Sequence, residues 1–172
     1  MNFSEVTSLL ENHTTAKLIR ANNAALIISF LFKAFKTENK KNFLTLPQLK
    51  NTIALWSGGG FSVSYLKNIE WLKVKQFFYW GDVDAQGFHI LNQFRSYFPS
   101  TIALMMNKQV LSHFEKYIEV GTTTTAYHLP NLTKEEAILY EYLRQNNLRL
   151  EQEKITNAFV QSEINFAFQN IL

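Results

Sequence analysis

The residues best placed to do chemistry end an apolar run: Gln76-Phe77-Phe78-Tyr79-Trp80 is followed by Gly81-Asp82-Val83-Asp84. Two carboxylates two residues apart lie on the same side of an extended chain, roughly 6–7 Å apart along the backbone. Hard oxygen donors set this way suit Mg2+ or Mn2+. Two such ions about 4 Å apart can clamp a phosphate, one activating water and the other steadying a leaving oxygen. A plainer explanation needs no ion: a solvated turn in which Asp84 caps the helix that follows. Glu38, just past another apolar run, is the natural third ligand or general base. Taken alone it also reads as a surface glutamate in a turn with Lys36, Lys40 and Lys41. Those three lysines suit contacts to a nucleic-acid backbone, which position it without reading its sequence, or form a solvated charged face.

A fourth acid comes from helical geometry. If 148–155 is helical, Glu151 shares a stripe with Leu148, Ile155 and Phe159. A carboxylate on an apolar stripe is costly unless paired or metal-bound. This favours Glu151 beside the metal ligands, with Glu153 as second choice. Pairing between Arg149 and Glu153 at i and i+4 is the competing reading. Other candidates are weaker. Ser57-Gly58-Gly59-Gly60 suits a tight turn and lacks the Lys-Ser/Thr ending of a phosphate-binding P-loop. His89 reads as a surface or capping side chain, and Trp56, Trp71 and Trp80 read as core. None of the four histidines has a nucleophile signature around it.

These side chains need elements to hold them. Residues 1–24 read as a polar N-terminal arm or short helix, and residues 25–172 as one domain. Ala25–Phe35 is apolar on both faces, as in a strand covered on both sides. A helical turn at Pro47–Asn51 follows, then a strand at Thr52–Trp56, a helix at Phe61–Leu72 and a strand at Gln76–Trp80. A helix at Gln86–Tyr97, stopped by Pro99, and a strand at Thr101–Met106 complete the alternation. Such alternation predicts a mostly parallel sheet flanked by helices, in which ligands gather at the carboxyl ends of the strands. Glu38, the glycine loop, Asp82, Asp84 and Asn107 all fall at such ends. Val120–Tyr127 suits an edge strand or loop. The C-terminal segment is helical: Thr133 with Glu136 forms a capping box, and a second helix is expected through Leu148–Ile155.

Composition sets the outer bounds. The chain has 172 residues, long enough for one well-buried core, with 47% hydrophobic, 18% charged and 15% aromatic residues. The ring excess reads as core packing. Without cysteine there is neither disulfide nor thiolate-bound zinc. The net charge of +3 permits a nucleic-acid partner. The N-terminal residues carry acids where a secretory signal would be basic and then apolar, and no apolar run is long enough to span a bilayer. The expected location is the cytoplasm.

Four ordered segments resemble one family. Thr37-Glu38-Asn39-Lys40-Lys41-Asn42-Phe43-Leu44-Thr45-Leu46-Pro47 is similar to its ENxxxFLxLP segment, and Tyr79-Trp80-Gly81-Asp82-Val83-Asp84-Ala85-Gln86-Gly87-Phe88 to its YWGDIDxxGF. Leu132-Thr133-Lys134-Glu135-Glu136 and Arg149-Leu150-Glu151-Gln152-Glu153 resemble its LTxEE and RLEQE. The family is the C-terminal domain of JetD, the nuclease subunit of the bacterial Wadjet anti-plasmid system, and the similarity covers roughly residues 25–165. The resemblance implies a Toprim-like (Rossmann-like) α/β fold akin to that of the topoisomerase VI A subunit. It also implies a magnesium-binding glutamate and Asp-x-Asp pair, carried here by Glu38, Asp82 and Asp84. The implied partners are plasmid DNA and the SMC-like subunits of the defence complex, with a second copy of the chain as a further candidate.

Two departures stand out. Met105-Met106-Asn107 replaces the family's LMD, removing a carboxylate. Longer members also carry an N-terminal arm and DNA-binding part ahead of this domain. The expected function is a metal-dependent DNA endonuclease domain. The alternative is a catalytically weak or inactive module that binds DNA or docks on the SMC-like complex.

Overall fold

The computed structural model describes residues 33–47, 49, 51–56, 60–126 and 128–170. The expected arm at 1–24, most of the run at 25–35, and Ser57, Gly58, Gly59 and Tyr127 lie outside the described residues. Strands β1 (Lys33–Thr37), β2 (Thr52–Trp56), β3 (Gln76–Trp80) and β4 (Ile102–Ala103) form a parallel sheet in the order β2-β1-β3-β4. Around it lie α1 (Lys40–Leu44), α2 (Ala85–Tyr97), α3 (Lys108–His113), α4 (Lys134–Asn146) and α5 (Asn157–Gln169). The result is the expected α/β class: a parallel sheet flanked by helices, consistent with a Rossmann-like, Toprim-like fold.

The sequence of β3 explains its central place. Phe77, Phe78 and Tyr79 have no exposed surface and Trp80 almost none, so neither face of the strand meets water. Successive strand residues point to opposite faces. Phe77 and Tyr79 meet Phe94 of α2, at ring separations of 5.0 and 5.6 Å, whereas Phe78 stacks on Phe168 of α5 at 4.5 Å. The aromatic excess is therefore largely core, and α2 and α5 cover opposite faces. Trp56 departs from this expectation: at the end of β2 it is 38% exposed.

Helix α2 follows its sequence closely. Phe88, Leu91 and Phe94 are fully buried along one face. Arg95, also buried, donates to Thr101 O (3.0 Å), Asn131 O (3.0 Å) and the Glu136 carboxylate. Glu136 also completes the capping box of α4, accepting from Thr133 N at 2.9 Å while Thr133 Oγ1 accepts from Glu136 N at 3.2 Å.

Three expected elements take other forms. The expected helix at Phe61–Leu72 is two 3-10 segments, Gly60–Asn68 and Glu70–Leu72. Its apolar residues Val63, Leu66, Ile69 and Leu72 recur every third position, the period of a 3-10 turn rather than of an α-helix. A helix also forms at α1, where Asn39 caps the chain by accepting from Lys41 N (2.7 Å) and Asn42 N (3.2 Å); of the turn expected at Pro47–Asn51, Gln48 and Lys50 lie outside the described residues. The strand expected at Thr101–Met106 is only Ile102–Ala103, since Met105 adopts a left-handed φ of 58° that takes the chain off the ladder.

The largest difference is at Leu148–Ile155, which is not a helix. Asn147 ends α4 in the left-handed conformation. The chain then forms β6 (Leu148–Arg149), antiparallel to β5 (Glu119–Val120), and a 3-10 turn at Gln152–Lys154. The helical stripe proposed for Glu151 therefore does not exist.

Candidate metal centre at the strand ends

The sheet order dictates where a site can form. From β1 the chain passes to β2 on one side, and β3 lies on the other, so the order reverses between β1 and β3. The loops leaving their carboxyl ends part there and open a crevice. Thr37 and Trp80 are register partners, so the next residues, Glu38 and Gly81, are neighbours across that crevice. Gly81 leaves room for the site: a Cβ there would push on Glu38 Oε1 and crowd the Tyr79 hydroxyl.

Glu38 is held from two sides. Its carboxylate accepts the Tyr79 hydroxyl, and its carbonyl accepts from Trp56 Nε1 at 3.0 Å. Burial pushes its carboxyl up to about 7, although the nearby Lys36 ammonium and the Tyr79 hydrogen bond pull the other way. Lys36 sits on the same side of β1, two residues earlier. It is completely buried, its Nζ lies 5.0 Å from the centre of the Tyr79 ring, and that nitrogen has no hydrogen-bond partner among the described residues. Burial lowers its pKa to about 8, against the pull of Glu38. A side chain with no solvent contact cannot be a surface contact to DNA, which corrects the expectation for Lys36. Lys40 and Lys41, on α1, are exposed.

Asp82 is tied down by both oxygens. Oδ1 accepts from Gln152 N at 2.9 Å and Oδ2 from Arg149 Nη2 at 2.9 Å. Asp84 is buried and does cap α2, with Oδ1 accepting from Gly87 N at 2.7 Å, while Oδ2 lies 3.5 Å from Arg149 Nε. Burial raises its pKa, and the Gly87 hydrogen bond opposes the rise. Glu38, Asp82 and Asp84 line one cavity of about 160 Å³, together with Gln86, Gly87 and Arg149. Glu151 reaches this group through Arg149 Nη2 at 3.1 Å. Glu153 instead accepts from Asn39 Nδ2, beside Glu38. Arg149 thus pairs with Asp82, Asp84 and Glu151, not with Glu153. Asn107 caps α3, accepting from Val110 N at 2.9 Å.

The donor set is of the right kind for a hard divalent ion, with three carboxylates facing one cavity. Among the described residues, however, no three Asp, Glu or His side chains stand gathered for metal binding. Arg149 and Tyr79 occupy oxygens that an ion would need.

Gln152 has a role that the sequence does not single out. Its side chain is 1% exposed. Nε2 donates to Thr37 Oγ1 (3.1 Å) and Trp80 O (2.8 Å), Oε1 accepts from Asn39 N (3.1 Å), and its own N–H holds Asp82. It joins the ends of β1 and β3 to the segment that follows β6. That segment is anchored by Leu150, which exchanges two backbone bonds with Val83, at 2.9 and 3.1 Å, between the two aspartates. The only sequence signal for Gln152 was its place inside the RLEQE string. His89 also has a structural role, with Nε2 lying 3.0 Å from the Tyr140 hydroxyl.

Among the described residues no helix is long and apolar enough to cross a membrane. A comparison with curated proteins finds no match. Residues 7–164, nearly the whole chain and all of the site just described, match the family model for Wadjet protein JetD, C-terminal, and the chain belongs to that family.

Proposed function

We propose that this chain is the DNA-cleaving domain of a Wadjet-type defence system, a Toprim-like nuclease in which Glu38, Asp82 and Asp84 bind Mg2+ or Mn2+. The observation that carries this reading is that three acids, more than forty positions apart along the chain at the extremes, line one cavity at the carboxyl ends of β1 and β3. Glu151, which shares Arg149 with Asp82, and Glu153, which accepts from Asn39 beside Glu38, are the further candidate ligands. A bound ion would polarise the phosphodiester and make a coordinated water more acidic. Where it does not itself bind the ion, Glu38 lines the cavity and is the carboxylate placed to accept a proton from the attacking water. The buried Lys36 ammonium beneath it offsets part of the negative charge. The exposed Lys40 and Lys41 follow Glu38 directly and suit contacts to the DNA backbone. The partners in this reading are plasmid DNA and the SMC-like subunits.

Nicking of supercoiled plasmid tests it. The wild-type chain should convert supercoiled to open or linear DNA in the presence of Mn2+ or Mg2+ and not in excess chelator, and Asp82→Ala should slow this by at least about a hundredfold. Equal cleavage by the variant refutes the assignment. A second reading, an inactive DNA-binding or docking module, is favoured by one observation: Arg149 holds the acids in an arrangement that gathers no three of them. Metal-independent DNA binding without cleavage supports that reading.

A further inference from the structure

The Asp pair offers an ion very few oxygens. Asp82 Oδ1 is taken by Gln152 N–H and Asp84 Oδ1 by Gly87 N–H. The remaining oxygens, Asp82 Oδ2 and Asp84 Oδ2, face the same guanidinium, at 2.9 Å from Nη2 and 3.5 Å from Nε of Arg149. Nη2 is also shared with Glu151, at 3.1 Å. This is not the parallel two-bond fork that makes an arginine–carboxylate pair strong. One guanidinium is spread over three carboxylates, and its Nε–H is buried with no hydrogen-bond partner. The side chain keeps 35% of its surface exposed and lines the cavity, so it has somewhere to go.

We propose that Arg149 is an internal counter-cation of the acid cluster, competing with the divalent ion for Asp82 Oδ2 and Asp84 Oδ2 and displaced when the ion enters. This rests on the metal-binding reading above. Without an ion, Arg149 keeps the close carboxylates from repelling one another and lets the site fold. When the ion arrives it must expel the guanidinium, so the affinity of the site is set below what the acids alone would give. Cleavage then requires an ion concentration high enough to win that exchange.

The experiment is Mn2+ binding to the full chain, read from the electron paramagnetic resonance signal of unbound Mn2+, for wild type, Arg149→Gln and Arg149→Lys. Arg149→Gln should bind at least about tenfold more tightly than wild type. Arg149→Lys, which keeps the charge but cannot span both oxygens, should fall between them. Circular dichroism establishes that each variant is folded. Should Arg149→Gln fail to fold, the wild type still decides the matter: Mg2+ should shift the Arg149 Nε–H resonance and speed its exchange with water. Binding by wild type with equal or weaker binding by Arg149→Gln overturns the competition and leaves the metal site standing, as does a wild-type Nε–H resonance unmoved by saturating Mg2+. No Mn2+ binding by any of the three overturns both.

Discussion

Replacing Gln152 by leucine isolates the contribution of the polar bridge between the site strands. Leucine fills nearly the same volume, so cavity formation contributes little and the loss is of hydrogen bonds. Three go: to Thr37 Oγ1, to Trp80 O and from Asn39 N. Each is worth about 1 kcal/mol net, but a buried group left without a partner costs about 1–3 kcal/mol. Trp80 O and Asn39 N are backbone groups that cannot turn away. The sum is about 3–5 kcal/mol, and a chain of this size loses about 2–4 °C of Tm per kcal/mol. The expected fall is therefore about 6–20 °C, seen in a circular dichroism melt, with faster exchange of the Asn39 amide.

Gln152→Glu sharpens the same test. It keeps the acceptor toward Asn39 N but places an oxygen where Nε2 donated to Trp80 O. Protonated, the carboxyl donates again; ionised, it is a buried charge against a carbonyl. Burial raises the pKa of such a group, so its stabilising form is complete at low pH and is lost as pH rises. The deficit relative to wild type should be several degrees smaller at pH 5 than at pH 8. A leucine variant melting within about 2 °C of wild type refutes the bridge, and so does a glutamate deficit independent of pH.

Two further predictions follow from the strand ends. Alanine at Gly81 meets the Glu38 carboxylate and Tyr79 hydroxyl, flexible side-chain ends that can shift, whereas alanine at Gly87 meets the backbone carbonyl of Asp82. Gly81→Ala should melt within a few degrees of wild type yet lose about tenfold or more in Mn2+ affinity, whereas Gly87→Ala should lose stability first, by about 2 kcal/mol or more. Similar melting curves for the two variants would contradict this. The buried pair predicts a pH dependence in chelator. Glu38, raised from 4.5 to about 7, contributes stability that is complete below its ordinary value and lost as pH rises through 7. Lys36, lowered from 10.5 to about 8, contributes stability that is present above its ordinary value and lost as pH falls through 8. Wild type should thus be least stable near pH 7–8. Glu38→Gln should remove the acid-side slope, on the order of 2 kcal/mol after allowance for the water that reaches Glu38. An unchanged slope in differential scanning fluorimetry between pH 5 and 8 would rule out Glu38 as its source.

Much of the fold is legible in the sequence because strong local signals agree with the tertiary outcome. Gln76–Trp80 is five consecutive residues with no polar face, and it became the central strand. The capping box at Thr133 and the apolar face of α2 work through neighbours three and four residues away, which sequence displays directly. What sequence hides is the segment after α4. Leu148–Ile155 has acceptable helical composition, and nothing local forbids a helix. Its first three residues are extended because Asn147 turns left-handed and because Glu119–Val120 and Val83 supply backbone partners from 28 or more residues away. Pairing over that distance outweighs a propensity worth a few tenths of a kcal/mol per residue.

The same distinction runs through the site. Glu38, Asp82 and Asp84 can be nominated from the sequence because each follows an apolar run and the strand-end rule for parallel sheets says where such residues go. The groups that hold them cannot be nominated this way. Tyr79 reads as one more core aromatic until the β1–β3 register sets its hydroxyl against Glu38. Gln152 reads as a solvated residue between two acids until Leu150, pinned to Val83, turns its side chain inward. In both cases a neighbouring strand's register assigns the role. A single shift of register would exchange the faces of β1 and carry Lys36 and Glu38 together to the α5 side, away from Asp82 and Asp84. The cluster is therefore only as well defined as the β1–β3 ladder, and the Gln152 bridge fastens that ladder at the end where the acids emerge.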